Sequence, residues 1–260
     1  MKNVYIYCEG STEETFINEV LYPYFFNIGI VVRPIVCTTK RTRLKKFKGG
    51  VSDYNKIKSE LMILCKSHSN EFVTTMFDYY AMPSNTPGID NKNPDILKRI
   101  ESVEAAINDD IGMRNCSFNF MLHEFEGVLF SNPASFMLIT DGSTVDKVQS
   151  IRDAFPTPEH INNSPETAPS KRLRQLIPGY AKVRNGTILS KDMGLDILRG
   201  AAKEEPSFGC SAASNIRAFI FIIRHGCSFS SNMTVAKPTD AIPMSNPMIY
   251  FMIHSPLALL

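Results

Sequence analysis

Residues 3–21 read NVYIYCEGSTEETFINEVL, and this stretch decides the fold. Residues 4–7 are β-branched or aromatic, which is typical of a strand, and the run stops at Glu9. Ser11 and Glu14 have the spacing of a helix capping box, so a helix is expected to begin directly after the strand. A strand that passes at once into a helix is the opening of an α/β unit.

The same alternation continues to residue 135. It predicts an α/β fold with a mostly parallel sheet flanked by helices, because strands and helices follow one another in turn. Pro34 marks either an edge position or the end of the second strand, and Pro23 ends or bends the first helix. Beyond the first strand, strands are expected at 28–36, 71–77 and 116–122, and helices at 53–65, 96–111 and 127–130.

The chain divides into three regions that differ in composition and in the pattern of apolar residues. Residues 1–135 form the α/β domain. Residues 136–205 are a Pro-rich loop and helical accessory region, helical mostly over 171–199. Residues 206–260 form a divergent C-terminal tail to which we assign no function.

Composition excludes several classes of protein. The 260 residues are 43% hydrophobic and carry a formal charge of +2, so only local clusters can indicate a polyanionic partner. The six cysteines form no CxxC pair and no leader sequence is visible, which favours a reducing cytoplasm. No segment reaches the roughly 18–20 apolar residues of a membrane span, so no membrane partner is expected.

Acidic residues follow the predicted strands at the point where each one ends. Glu9 follows the first strand, Asp78 the third, and the sequence His123-Glu124-Phe125-Glu126 the fourth. The carboxyl ends of parallel strands lie along one edge of a sheet, where ligands bind in open α/β folds. Converging carboxylates repel one another unless a cation neutralises them, and oxygen ligands suit Mg²⁺ or Mn²⁺. Such an ion activates water in phosphoryl transfer.

Each of these residues also has a structural explanation. A Glu at a strand–helix junction can interact with the helix N-terminus, and an Asp after a strand is often a turn or cap residue. His123 can be a hydrogen-bonded core histidine. The coincidence of acids after three strands favours a shared site over three unrelated caps.

Two basic segments are candidates for contacting phosphates. The first contains Lys40, Arg41, Arg43, Lys45 and Lys46, and Gly49-Gly50 follows it. Lys and Arg supply the salt-sensitive part of nucleic-acid affinity, although a solvated charged face explains such a run equally well. The second segment comprises Lys171 and Arg172 at an expected helix start, together with Lys182.

Four blocks of sequence resemble the bacterial DUF4276 family, which is regarded as Toprim-like. They are CEGSTEETFINEVL, VTTMFDYYAMP, FMLHEFEGVLF and PEHINNSPETAPSKRL, and the resemblance covers roughly residues 3–200. In Toprim domains a Glu after the first strand is a general acid/base or metal ligand, and a later Asp-x-Asp pair holds Mg²⁺. The resemblance therefore implies these roles for Glu9 and for Asp78.

The chain departs from the Toprim pattern at one position. Tyr80 stands where the second Asp of the pair is expected, so Glu124 or Glu126 would have to supply the missing ligand. The resemblance implies a Mg²⁺- or Mn²⁺-dependent nuclease, or a related phosphoryl-transfer enzyme, with His123 orienting water or phosphate. It also implies a role in phage defence beside an ATPase encoded nearby.

Two other hypotheses stay open at this point. Tyr80 favours a catalytically degenerate Toprim-like module that binds nucleic acid or an ATPase partner without cleaving. In a purely structural alternative, the acids are caps and surface charges.

Overall fold

The computed structural model describes residues 1–38, 53–121, 126–156, 158, 161, 167–200 and 223. These residues fall within one compact unit of the chain, Met1–Ser230. None of the helices in these ranges is long and apolar enough to cross a membrane.

The described residues form a parallel sheet with helices on both faces, as the alternating pattern predicts. The strand order is β2-β1-β3-β4, and β5 pairs with β3 beyond β4. In the register of β1, Cys8 lies between Val36 of β2 and Met76 of β3. The strands are β1 (Lys2–Cys8), β2 (Ile30–Val36), β3 (Phe72–Asp78), β4 (Cys116–Ser117) and β5 (Phe120–Met121).

The helices follow the strands in the expected order, and 3-10 turns cover Tyr79–Ala81 and Pro133–Leu138. Pro34 lies in the edge strand β2, which confirms its predicted position. The helices are α1 (Ser11–Phe16), α2 (Tyr22–Asn27), α3 (Tyr54–Ser67), α4 (Ile96–Ile111), α5 (Glu126–Leu129), α6 (Gly142–Asp153), α7 (Pro169–Leu176) and α8 (Lys182–Gly200).

The chain stays helical through Pro23. A π turn, Ile17–Leu21, joins α1 to α2, and the Tyr22 N–H donates to the Ile17 carbonyl. Proline lacks an N–H and its ring crowds the carbonyl four residues earlier. The chain nevertheless stays helical to Asn27, so the helix end that was predicted at Pro23 is wrong, while a bend there stays a prediction.

The fourth predicted strand, residues 116–122, is interrupted in the structure. Phe118 and Asn119 separate β4 from β5. The Thr75 hydroxyl accepts a hydrogen bond from the Asn119 N–H and donates one to the Asn119 carbonyl, both at 2.8 Å. The Asn108 side chain accepts the Phe118 N–H at 2.7 Å. Side chains thus replace strand pairing at the break, while the register on its two sides is the same.

Two apolar cores lie on opposite faces of the sheet. Successive side chains of a strand point to opposite faces, so Val4 and Ile6 enter one core and Tyr7 the other. Helices α3 and α4 cover the second core through residues such as Leu61 and Val103. The first core receives residues from α1, α2 and α5 to α8.

Helix α8 belongs to the first core. Its residues Leu189, Met193 and Leu198 are buried in the cluster that contains Phe16 and Leu21. The described part of 136–205 therefore shares a core with the first 135 residues. The boundaries at 135 and 205 stay predictions.

Candidate active site at the carboxyl edge of the sheet

Glu9 lies at the tip of an interior strand, directly before a helix. Gly10 is the N-cap of α1, in extended backbone conformation, and its carbonyl accepts the Glu14 N–H at 3.1 Å. The Glu13 carboxylate accepts the Gly10 N–H at 3.1 Å. The predicted capping box of Ser11 and Glu14 is therefore wrong by one residue, because the helix begins at Ser11 and the cap precedes it.

The structure brings Glu9 to Asp78, as the strand-edge argument predicts. Strands β1 and β3 are paired neighbours, and the Glu9 carboxylate accepts a hydrogen bond from the backbone of Asp78. Burial first, then the charges of Glu13 and Asp78, raise the pKa of Glu9 to about 7. The backbone hydrogen bond and the charge of Lys182 act in the opposite direction. Near neutral pH, Glu9 therefore populates both protonation states, as a general acid/base must.

Asp78 also serves as a local cap. Its carboxylate accepts the Tyr80 N–H at 2.9 Å at the start of the 3-10 turn Tyr79–Ala81. The Tyr80 side chain is 57% exposed and packs edge-on against Tyr79. The structure therefore confirms the predicted cap role of Asp78. The same residue also contacts Glu9 through its backbone.

Glu126 and Lys182 form an ion pair beside Glu9. Lys182 Nζ lies 3.2 Å from Glu126 Oε2, and the Glu126 side chain is only 1% exposed. The charge of Lys182 also acts on Glu13, whose pKa burial raises above its ordinary value. Lys182, predicted to contact nucleic acid, thus lies among carboxylates.

The second basic segment is only partly surface charge. Helix α7 begins at Pro169, which confirms the expected helix start near Lys171. Arg172 donates to the Thr167 carbonyl at 2.7 Å and lies 5.6 Å from the centre of the Phe155 ring. Lys171 is exposed. Arg172 therefore has a structural role, and its predicted phosphate contact stays a prediction.

The described residues do not by themselves fit a divalent metal. Among them, no three His, Cys, Asp or Glu side chains are arranged to hold one ion. Seven of the predicted site residues lie outside the described residues, so their predicted roles stay predictions: His123, Glu124, Lys40, Arg41, Arg43, Lys45 and Lys46.

Glu13 is a site residue that the sequence interpretation assigned only to the helix start. Its carboxylate is half-buried, reaches back to Gly10 and raises the pKa of Glu9. The spacing of four between Glu9 and Glu13 was not a usable signal, because residues four apart share a face only within a helix and Glu9 lies before α1.

Fold and site together define a class: a parallel α/β protein with an acidic cluster at the carboxyl edge of its sheet. The chain belongs to the DUF4276 family, a domain of unknown function, whose family model matches residues 8–208. No curated protein and no solved structure matches the chain. The match covers the elements that carry Glu9, Asp78, Glu126 and Lys182.

Proposed function

We propose that this protein hydrolyses phosphodiester bonds in nucleic acid, with Glu9 as the general acid/base. The observation that supports the proposal is Glu9 itself: a half-buried carboxylate at an interior strand tip, with a pKa of about 7 and Asp78 as its neighbour. A catalytic acid/base works best when its pKa is close to the working pH. This is also the position that the Toprim resemblance implies for such a residue.

The proposal includes Mg²⁺ or Mn²⁺ as cofactor. Glu9, Asp78 and Glu124 are the residues that would hold it, with His123 orienting water or phosphate. Glu126, the fourth predicted ligand, is paired with Lys182. A bound divalent ion would supply an activated water and offset charge on the phosphate.

The proposed substrate is DNA or RNA in the cytoplasm, in the setting of phage defence, with an ATPase as partner. The basic residues of 40–46, together with Lys171 and Arg172, would contribute phosphate contacts. Such contacts make affinity fall steeply with salt. The scattered thiols support the location, since the described cysteines, at positions 8, 37, 65 and 116, are free.

The test is cleavage of end-labelled single- and double-stranded DNA and RNA oligonucleotides with Mg²⁺ or Mn²⁺. Glu9→Gln is expected to reduce cleavage by at least about 100-fold, the usual contribution of general acid/base catalysis, with an unchanged circular dichroism spectrum. Glu14→Gln, at the same helix start, is the matched control and is expected to retain activity. Metal-dependent cleavage that survives Glu9→Gln would contradict the assignment.

A binding module is the second candidate function. Tyr80 replaces the second Asp of the Toprim pair, and the Asp78 carboxylate caps a turn. Such a module would bind nucleic acid in a salt-dependent manner, or dock on an ATPase, without cleaving. Nucleic-acid binding that Glu9→Gln leaves unchanged, without cleavage under any metal condition, would favour this alternative.

A further inference from the structure

Four elements bring three carboxylates within electrostatic range of one ammonium group, and one of the three carboxylates is in contact with it. Glu9 comes from the tip of β1, Glu13 from α1 and Glu126 from the start of α5, and Lys182 is the first residue of α8. Helix α8 packs against both α1 and α5. We call these four residues the edge charge cluster.

The most buried member of the edge charge cluster is Glu126. Its side chain is 1% exposed, whereas that of Lys182 is 31% exposed and reaches it at 3.2 Å. A carboxylate buried to this degree is costly unless a cation or hydrogen bonds compensate it. Removing the cation would therefore take away the compensation that Lys182 supplies to this buried carboxylate.

Lys182 occupies a helix position that ordinarily disfavours a cation. The first turn of a helix carries a partial positive charge, so a Lys there is unfavourable unless carboxylates surround it. Glu126 is in contact with Lys182, and Glu9 and Glu13 both respond to its charge. The contact thus offsets two unfavourable placements: the Lys182 ammonium group at a helix N-terminus and the Glu126 carboxylate in a buried position.

We infer that Lys182 is a resident cation of this edge: its ammonium group, rather than a divalent metal ion, neutralises Glu126, and its charge also acts on Glu9 and Glu13. This assignment gives Lys182 and Glu126 roles different from nucleic-acid contact and metal ligation. It agrees with the absence of a metal-holding group among the described side chains. It concerns charge balance in the protein alone and does not depend on the proposed nuclease activity.

The first test is a double-mutant cycle measured by urea unfolding in EDTA, without substrate. Lys182→Met is expected to raise the unfolding equilibrium constant at least tenfold in the wild-type background. In the Glu126→Gln background, where the buried carboxylate in contact with Lys182 is gone, the same change is expected to have an effect at least fivefold smaller. Lys182→Arg keeps the charge and is expected to behave as the wild type. Equal effects of Lys182→Met in both backgrounds would overturn the inference.

The matched control is a second ion pair on the same helix. Lys191 pairs with Glu19, and both side chains are about half exposed, at 51% and 45%. Exposed ion pairs contribute little to the stability of a protein, so Lys191→Met is expected to change the unfolding equilibrium constant less than twofold. A tenfold effect there would show that any lysine of α8 matters and would overturn a specific role for Lys182.

The second test is isothermal titration with Mn²⁺ alone. With its resident cation removed, the Lys182→Met protein is expected to bind Mn²⁺ at least tenfold more tightly than the wild type, and Glu126→Gln is expected to abolish the gain. Equal Mn²⁺ affinity of the wild type and Lys182→Met, or Mn²⁺ binding to the wild type that Glu126→Gln abolishes, would overturn the inference. Neither outcome bears on Glu9 as acid/base, which the cleavage assay tests separately.

Discussion

Glu9 and Glu104 are two of the carboxylates whose pKa values are raised, and they lie in different surroundings. Glu9 lies among charged groups at the sheet edge. Glu104, on α4, accepts the Phe120 N–H at 2.7 Å. Burial raises the pKa of Glu104 to about 8, and the charge of Glu101 adds to it. The Glu104 side chain accepts a backbone hydrogen bond beside the strand break. We therefore interpret its raised pKa as the result of a structural role. A shifted pKa suggests catalysis only where the neighbouring groups can take part in chemistry.

Glu104→Gln is expected to stabilise the protein at alkaline pH. A raised folded-state pKa means that protonated Glu104 favours folding. Its contribution is complete below pH 4.5, falls as the pH rises, and is lost above about pH 8. Gln keeps the acceptor for Phe120 without the charge, so the gain at pH 8.5 is expected to be on the order of 2 kcal/mol, and near zero at pH 4.5.

Urea unfolding at the two pH values measures this difference between Glu104→Gln and the wild type. Asp146→Asn, an exposed change on α6, is the control and is expected to shift stability by less than about 0.5 kcal/mol at either pH. A Glu104→Gln protein that is less stable than the wild type at pH 8.5 would contradict the prediction.

Elements defined by local patterns were predictable, and those defined by distant contacts were not. Helix α4 has the predicted bounds 96–111, because its apolar spacing is strong. The strand at 116–122 has an equally apolar sequence, yet it breaks at Phe118 and Asn119. The break depends on Thr75, more than forty positions away, and no local pattern shows which hydroxyl will replace the strand pairing.

Thr75→Val tests how much the strand break depends on that hydroxyl. Thr75 is fully buried, and its hydroxyl serves both backbone groups of Asn119 at 2.8 Å. Valine has a similar shape and leaves two buried polar groups without this partner. The free energy of unfolding is expected to fall by about 2–4 kcal/mol, the cost of such unsatisfied groups.

The control for Thr75→Val is Thr15→Val on α1. The Thr15 hydroxyl donates to the Ser11 carbonyl in an exposed position, where water can replace it. This change is expected to alter stability by less than about 0.5 kcal/mol. Equal effects of the two substitutions in urea unfolding would show that the hydroxyl of Thr75 has no special role at the break.

Only part of the candidate site could be predicted from the sequence, because the rest depends on how distant helices pack. Glu9 and Asp78 follow from one topological rule, since adjacent parallel strands end at one edge. The neighbourhood of Lys182 follows from no such rule, because it depends on how α8 packs against α1 and α5. The sequence predicted only a mostly helical region over 171–199; neither the helix start at Lys182 nor the helix ends near it could be predicted. The site therefore needs the C-terminal helices as much as the strands.

A chain that shares one core across the boundary at residue 135 is not expected to fold in halves. Leu189, Met193 and Leu198 of α8 are buried with Phe16 of α1 and Leu21 of the π turn. Burying each large apolar side chain contributes about 1.5–3 kcal/mol, so losing three removes a large part of a typical stability of about 5–15 kcal/mol.

The fragment 1–135 is therefore expected to lack a cooperative urea transition and to bind a hydrophobic dye. Co-expression with 136–260 is expected to restore the transition. A fragment 1–135 with the midpoint of the full chain would instead establish residue 135 as a domain boundary.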